Sequence, residues 1–108
     1  MIVELRRYSL VPGGAAPYLR QWDESGRRPQ VRHLGEPLGV HTVEVGTLNT
    51  LVFLWQYDDA ADRERRRAAL AADAHFAEFR RSVRGLLVAQ HTEILTPHVT
   101  HTQRPASD

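Results

Sequence analysis

The sequence predicts an α+β chain of order βαββαβ, folded as a ferredoxin-like sandwich in which a four-stranded antiparallel sheet carries its helices on one face. Three observations lead there. Four segments read as strands, chiefly from the period of two that a half-buried strand requires; helical stretches follow the first and third of them; and the middle two are separated only by a turn. A chain of 108 residues has room for one core and none for a second domain.

The first strand is IVELRRYSL, residues 2–10, with Val3 and Leu5 on one face and Glu4, Arg6 and Tyr8 on the other. Pro12 and the Gly13–Gly14 pair end it. Ala15, Tyr18, Leu19 and Trp22 then recur at helical spacing, and Pro17 is tolerable in a first turn. Gly26 to Pro29 predicts an interruption, after which Pro29, Val31 and Leu34 restart a helix that Gly35 closes. LGVHTVEVG, residues 38–46, alternates as the second strand, GTLN turns, and LVFLWQY from Leu51 is the third, so this pair is a hairpin. Asp58 or Asp59 caps the next helix and Asp62 sits at its positive end. Asp59 with Arg63 and Asp62 with Arg66 stand at i,i+4, so the run DRERRR is expected to be a solvated helix face. Asp73 precedes a helix with Phe76, Phe79 and Val83 on one side, Gly85 ends it, and LLVAQHTEIL at 86–95 is the last strand. The domain is thus expected over residues 1–96, with 97–108 as a C-terminal tail.

Composition narrows the function classes. A formal charge of +1 lacks the basic footprint of a nucleic-acid binder, although all 14 basic residues are arginine. The absence of cysteine removes disulfides, thiolate nucleophiles and thiolate metal ligands, and fits a cytoplasmic location. MIVELRRYSLVPGG enters a strand at once, and no apolar run approaches the roughly 18 residues of a membrane helix, so no leader and no membrane insertion are expected.

Both registers of the third strand are apolar: Phe53, Trp55 and Tyr57 alternate with Val52 and Leu54. Whichever set the helices cover, the other leaves an exposed apolar sheet face, which soluble monomers avoid. The expected partner is a second copy, docked sheet to sheet.

VELRRYSLVPG at the start, HLG at 33–35, the block VEVGTLNTLVFLWQYDDAADRERRRAALAAD at 43–73 and the phenylalanine-bearing helix after it resemble the NIPSNAP family of the dimeric α/β-barrel superfamily. The resemblance runs in order over about residues 2–95. It implies the ferredoxin-like fold and a homodimer whose two sheets close a barrel, and it implies no particular reaction. The chain departs from the family at DAHF, 73–76, where members commonly carry a proline and a tryptophan after the Asp. The wider superfamily includes cofactor-free monooxygenases and cyclases of aromatic polyketides, haem-degrading enzymes, lactone isomerases and non-catalytic proteins. Its members share a cleft between sheet and helices, so function is sought in that cleft rather than in the fold.

The titratable candidates are histidines. His33, His41 and His91 are the candidate catalytic bases, against the plainer readings of a helix C-terminal histidine for His33 and half-buried, hydrogen-bonded strand residues for the other two. Tyr8, Tyr18, Trp22, Trp55, Tyr57 and Phe76 are the aromatic stock of a pocket, each of which also suits a core. HVTH at 98–101 lacks a third ligand, and no HExxH, GxSxG or phosphate-loop pattern occurs, so neither metal nor cofactor is expected. The expected activity is binding of a flat apolar or aromatic small molecule, with cofactor-independent cyclisation or oxygenation in secondary metabolism as the enzymatic form. The alternatives are a non-catalytic binding or scaffolding dimer and a haem-binding oxygenase, whose axial ligand would be His33, His41, His75 or His91.

Overall fold

The computed structural model describes residues 1–100; residues 101–108, with His101 and most of the expected tail, lie outside the described residues. Its elements are β1 (Ile2–Leu10), α1 (Ala15–Gln21), a π-helical turn (Trp22–Gly26), α2 (Arg27–Leu34), β2 (Gly39–Thr42), β3 (Thr50–Tyr57), α3 (Ala60–Ala71), α4 (Ala74–Val83), a short 3-10 turn (Arg84–Leu86) and β4 (Leu87–Leu95). The strands lie in the order β2-β3-β1-β4 with every pair antiparallel, which is the ferredoxin-like arrangement.

Local chemistry sets the boundaries. Asp59 is extended and accepts a hydrogen bond from the Asp62 amide at 2.8 Å, while the Asp62 carboxylate reaches back to the Asp58 amide at 2.9 Å. Two orphan N–H groups at the α3 start are thereby satisfied. Asp73 does the same for α4, accepting from His75 and Phe76. The second strand is shorter than its alternation suggests: β2 stops at Thr42, and residues 43–49 bend away with Val45 90% and Leu48 61% exposed. Asn49 adopts a positive φ of 58° there, and its side-chain oxygen accepts from the Gly13 amide, tying this loop to the turn after β1.

The expected break near Gly26 is a π-helical turn, which leaves α1 and α2 joined in one continuous helical run. Gly26 is required by contact, since a Cβ there would lie 2.8 Å from the Phe79 ring of α4. Trp22 on the same turn is buried and donates from Nε1 to Gln30 Oε1 at 2.7 Å.

Opposed residues of an antiparallel ladder share a face, so the register settles which side of each strand is covered. Glu4, Arg6, Tyr8 and Leu10 of β1 and Leu51, Phe53, Trp55 and Tyr57 of β3 lie on the helix-covered face. Val3, Leu5, Val52 and Leu54 lie on the open face. The core is built from Tyr8, Trp22, Leu34, Leu51, Phe53, Trp55, Leu70 and Phe79, all buried.

Candidate functional site

A cavity of about 440 Å3 opens between the sheet and α4. Its aromatic wall forms because β1 and β3 direct Tyr8 and Phe53 inward while α1 and α4 supply Tyr18, Phe76 and Phe79. The rings hold one another: Tyr8 meets Phe53 edge-on at 5.5 Å between centroids, Tyr18 meets Phe79 at 5.7 Å, and Phe76 lies 5.8 Å from Phe79. The polar lining is Arg6, Arg67, Arg80, Arg84, Gln30 and Gln90.

At the inner end stands Glu4, fully buried. Arg63 reaches its Oε2 through Nε and Nη2 at 2.8 and 2.6 Å, Arg67 reaches Oε1 through Nε at 3.2 Å and through Nη2, and the Tyr57 hydroxyl donates to Oε1 at 2.8 Å. Arg6 lies 3.5 Å away on the same strand. Burial pushes the Glu4 carboxyl up, but the Arg67 charge and the hydrogen bonds from Arg67, Arg63 and Tyr57 outweigh it and hold it below its ordinary value. Burial pushes the Tyr57 hydroxyl up to about 12, and the adjacent Glu4 adds to that, so Tyr57 stays protonated and donating. Beside the cavity, Arg6 Nε donates to the Tyr8 hydroxyl oxygen at 2.8 Å, leaving the Tyr8 proton free for another acceptor.

The expectation of a solvated arginine face is therefore corrected. Arg63 and Arg67, four residues apart, turn toward the sheet and grip Glu4, and Arg63 makes no bridge to Asp59. Only the Asp62–Arg66 pair at 2.9 Å follows the expected spacing. Asp62 holds Arg65 as well, and Arg66 also donates to the Leu34 carbonyl, tying α3 to the end of α2.

Of the aromatic candidates, Tyr8, Tyr18 and Phe76 line the cavity. Trp22, Trp55 and Tyr57 are core residues outside its lining, since β3 turns Trp55 and Tyr57 under the helices and the π turn directs Trp22 onto Phe53. None of the three catalytic candidates lines it either. His33 Nε2 bonds the Asp73 carboxylate at 2.8 Å, clasping α2 to the start of α4 and holding that carboxyl below its ordinary value. His41 and His91 fall on the open face, opposite Val52 and Arg7 respectively. His75 is exposed on α4 and lines a separate, polar groove. Among the described residues no group of three His, Asp or Glu side chains could hold a metal ion, and no helix is long and apolar enough to cross a membrane.

Sequence reasoning missed Phe53, Phe79, Arg6, Arg67, Arg80 and Arg84 as lining residues. The i,i+4 spacing of Arg63 with Arg67, and of Arg80 with Arg84, was a signal that each pair shares one helix side.

Comparison with known proteins agrees with this architecture. A NIPSNAP-like domain protein from Burkholderia xenovorans is 37% identical with a TM-score of 0.90, covering 96% of this chain and 90% of that one. A NIPSNAP family protein of unknown function from Agrobacterium tumefaciens is 34% identical with a TM-score of 0.87, over 90% and 87% of the two chains. A protein from Nitrosomonas europaea, provisionally named an antibiotic biosynthesis monooxygenase, shares the fold with a TM-score of 0.66 at 14% identity. The NipSnap homolog of Dictyostelium discoideum is 41% identical over 64 residues, 57% of this chain but only 27% of that protein. The NIPSNAP family profile matches residues 3–100, and the chain belongs to that family.

Proposed function

We propose that the protein is a homodimer whose cleft binds a flat, apolar or aromatic small molecule. The observation that carries this is the cavity itself: five aromatic rings and a few polar groups enclosing about 440 Å3, within the size range of small-molecule sites. The rings offer a surface for stacking, and the Tyr8 hydroxyl, oriented by Arg6, offers a proton to a carbonyl or phenol of the bound compound. Cofactor-independent tailoring, by cyclisation or oxygenation, is the reaction class such a cleft suits.

The lining favours binding over general-base chemistry, because its ionisable side chains are arginines and tyrosines, with no histidine or carboxylate among them. Any catalytic part for His41 or His91 lies at the open face, where a second copy would dock. A haem-binding reading has no histidine in the cleft to supply an axial ligand. The dimer is supported by the apolar centre of the open face, Val3, Leu5, Val52 and Leu54, and by Leu95 of β4, which lies opposite Val3 on that face and is 39% exposed in the single chain.

The test is calorimetric titration with a panel of two- and three-ring aromatic ketones, phenols and acids, against the native chain and Ala71→Trp, which fills the cavity from α3. Binding by members of the panel that Ala71→Trp abolishes is expected. Failure of every compound, or binding indifferent to the filled cavity, removes the reading.

A further inference from the structure

We propose that the compound taken by this cleft is an aromatic acid, its rings against the aromatic wall and its carboxylate held at the mouth by Arg80 and Arg84. The proposal rests on the cleft being a small-molecule site and adds the charge of the ligand.

Four arginines and no carboxylate line the cavity. At the inner end Glu4 is the one acid facing Arg6, Arg63 and Arg67, so that cluster carries an excess of two positive charges. Arg80 and Arg84 make no ion pair among the described residues, although Arg32, Arg65 and Arg66, on neighbouring helices, all do. Arg80 lies in the last turn of α4 and Arg84 at the start of the 3-10 turn that follows, so the i,i+4 spacing puts both on one side, where both border the cavity. A pair of arginines on an open helix is commonplace. These two, though exposed themselves, instead edge a half-open cleft walled by Tyr18, Phe76, Phe79 and Val83, whose apolar wall keeps water from one side of a charge bound there. A guanidinium presents a planar fork of N–H donors that matches a carboxylate lying in the plane of an aromatic ring. A neutral ring compound would leave those donors to water.

The experiment is titration calorimetry of the full chain with naphthalene-2-carboxylate and its neutral isostere naphthalene-2-carboxamide, at low and at raised salt. The acid is expected to bind about tenfold or more tighter than the amide, with the difference shrinking as salt rises. In R80Q/R84Q the advantage of the acid over the amide should disappear. R80K/R84K, which keeps charge but loses the fork, should lie between. Equal binding of acid and amide overturns the proposal and leaves the aromatic cleft standing. An acid preference that persists in R80Q/R84Q overturns the assignment to the mouth. Binding of neither compound overturns this proposal, and the cleft reading falls with it only when the whole aromatic panel fails as well.

Discussion

Glu4 of β1 and Arg67 of α3 are 63 residues apart in sequence, yet the Arg67 guanidinium closes on Glu4 Oε1 while Arg63, one helical turn earlier, takes Oε2. This contact decides the orientation of α3 on the sheet. It also makes the arginine-rich segment an interior feature along one side, with Arg67 only 19% and Glu4 0% exposed at the side chain.

The two sides of that contact are not equivalent. Replacing Arg63 and Arg67 together by glutamine leaves a buried carboxylate with only the Tyr57 hydroxyl at 2.8 Å and the more distant Arg6 at 3.5 Å, and should destabilise the fold by about 3 kcal/mol. Glu4→Gln should cost less, about 1–3 kcal/mol, because both guanidiniums retain some exposure and can be rehydrated. Adding Glu4→Gln to the double arginine variant should therefore recover stability in urea unfolding; a further loss would show that Glu4 is not the group the arginines serve.

Acid should act through the same carboxylate and through Asp73. Both are held below their ordinary values of 4.5 and 3.8, so their contribution is present above those values and is lost as pH falls toward the lower folded ones. Thermal midpoints should stay level from neutrality to about pH 5 and then drop, and the drop should be shallower in Glu4→Gln. An unchanged acid limb in that variant would assign the loss to other groups.

Gly26→Ala tests the close approach of the π turn to α4. The added methyl would meet the Phe79 ring at 2.8 Å, and φ at Gly26 is an ordinary −92°, so the cost is steric alone. Urea unfolding should show a destabilisation of about 1–3 kcal/mol, part of it relieved when Phe79→Leu removes the ring in the same chain.

For the proposed dimer the informative position is Leu54. Val52 lies opposite Arg7, which would neutralise an introduced aspartate, whereas Leu54 lies opposite Leu5 and Gly39. Light scattering at low micromolar concentration should find a dimer for the native chain and a folded monomer for Leu54→Asp. A native chain that is monomeric and well folded at that concentration would leave the open sheet face without its proposed partner.

Element order, the β2–β3 hairpin, a cap at Asp58 or Asp59 and the Phe76–Phe79–Val83 helix side were legible from sequence, because each is written in spacing over a short stretch, whereas the choice of Asp59 and the cap at Asp73 came from the structure. What spacing could not decide was which face of a strand turns inward where both are apolar. Packing decided it, burying Phe53, Trp55 and Tyr57 and leaving Val52 and Leu54 open. That choice carried His41 and His91 to the open face with Val52 and Arg7, away from the cleft. The arginines of α3 were likewise ambiguous: their helical neighbours offered Asp59 and Asp62, and only the docking of α3 on the sheet brought a buried, far stronger claimant, Glu4, within reach. Periodicity is a property of one element, and a site is a property of several brought together, so the sequence determined the parts while the tertiary contacts determined which side chains share the cavity.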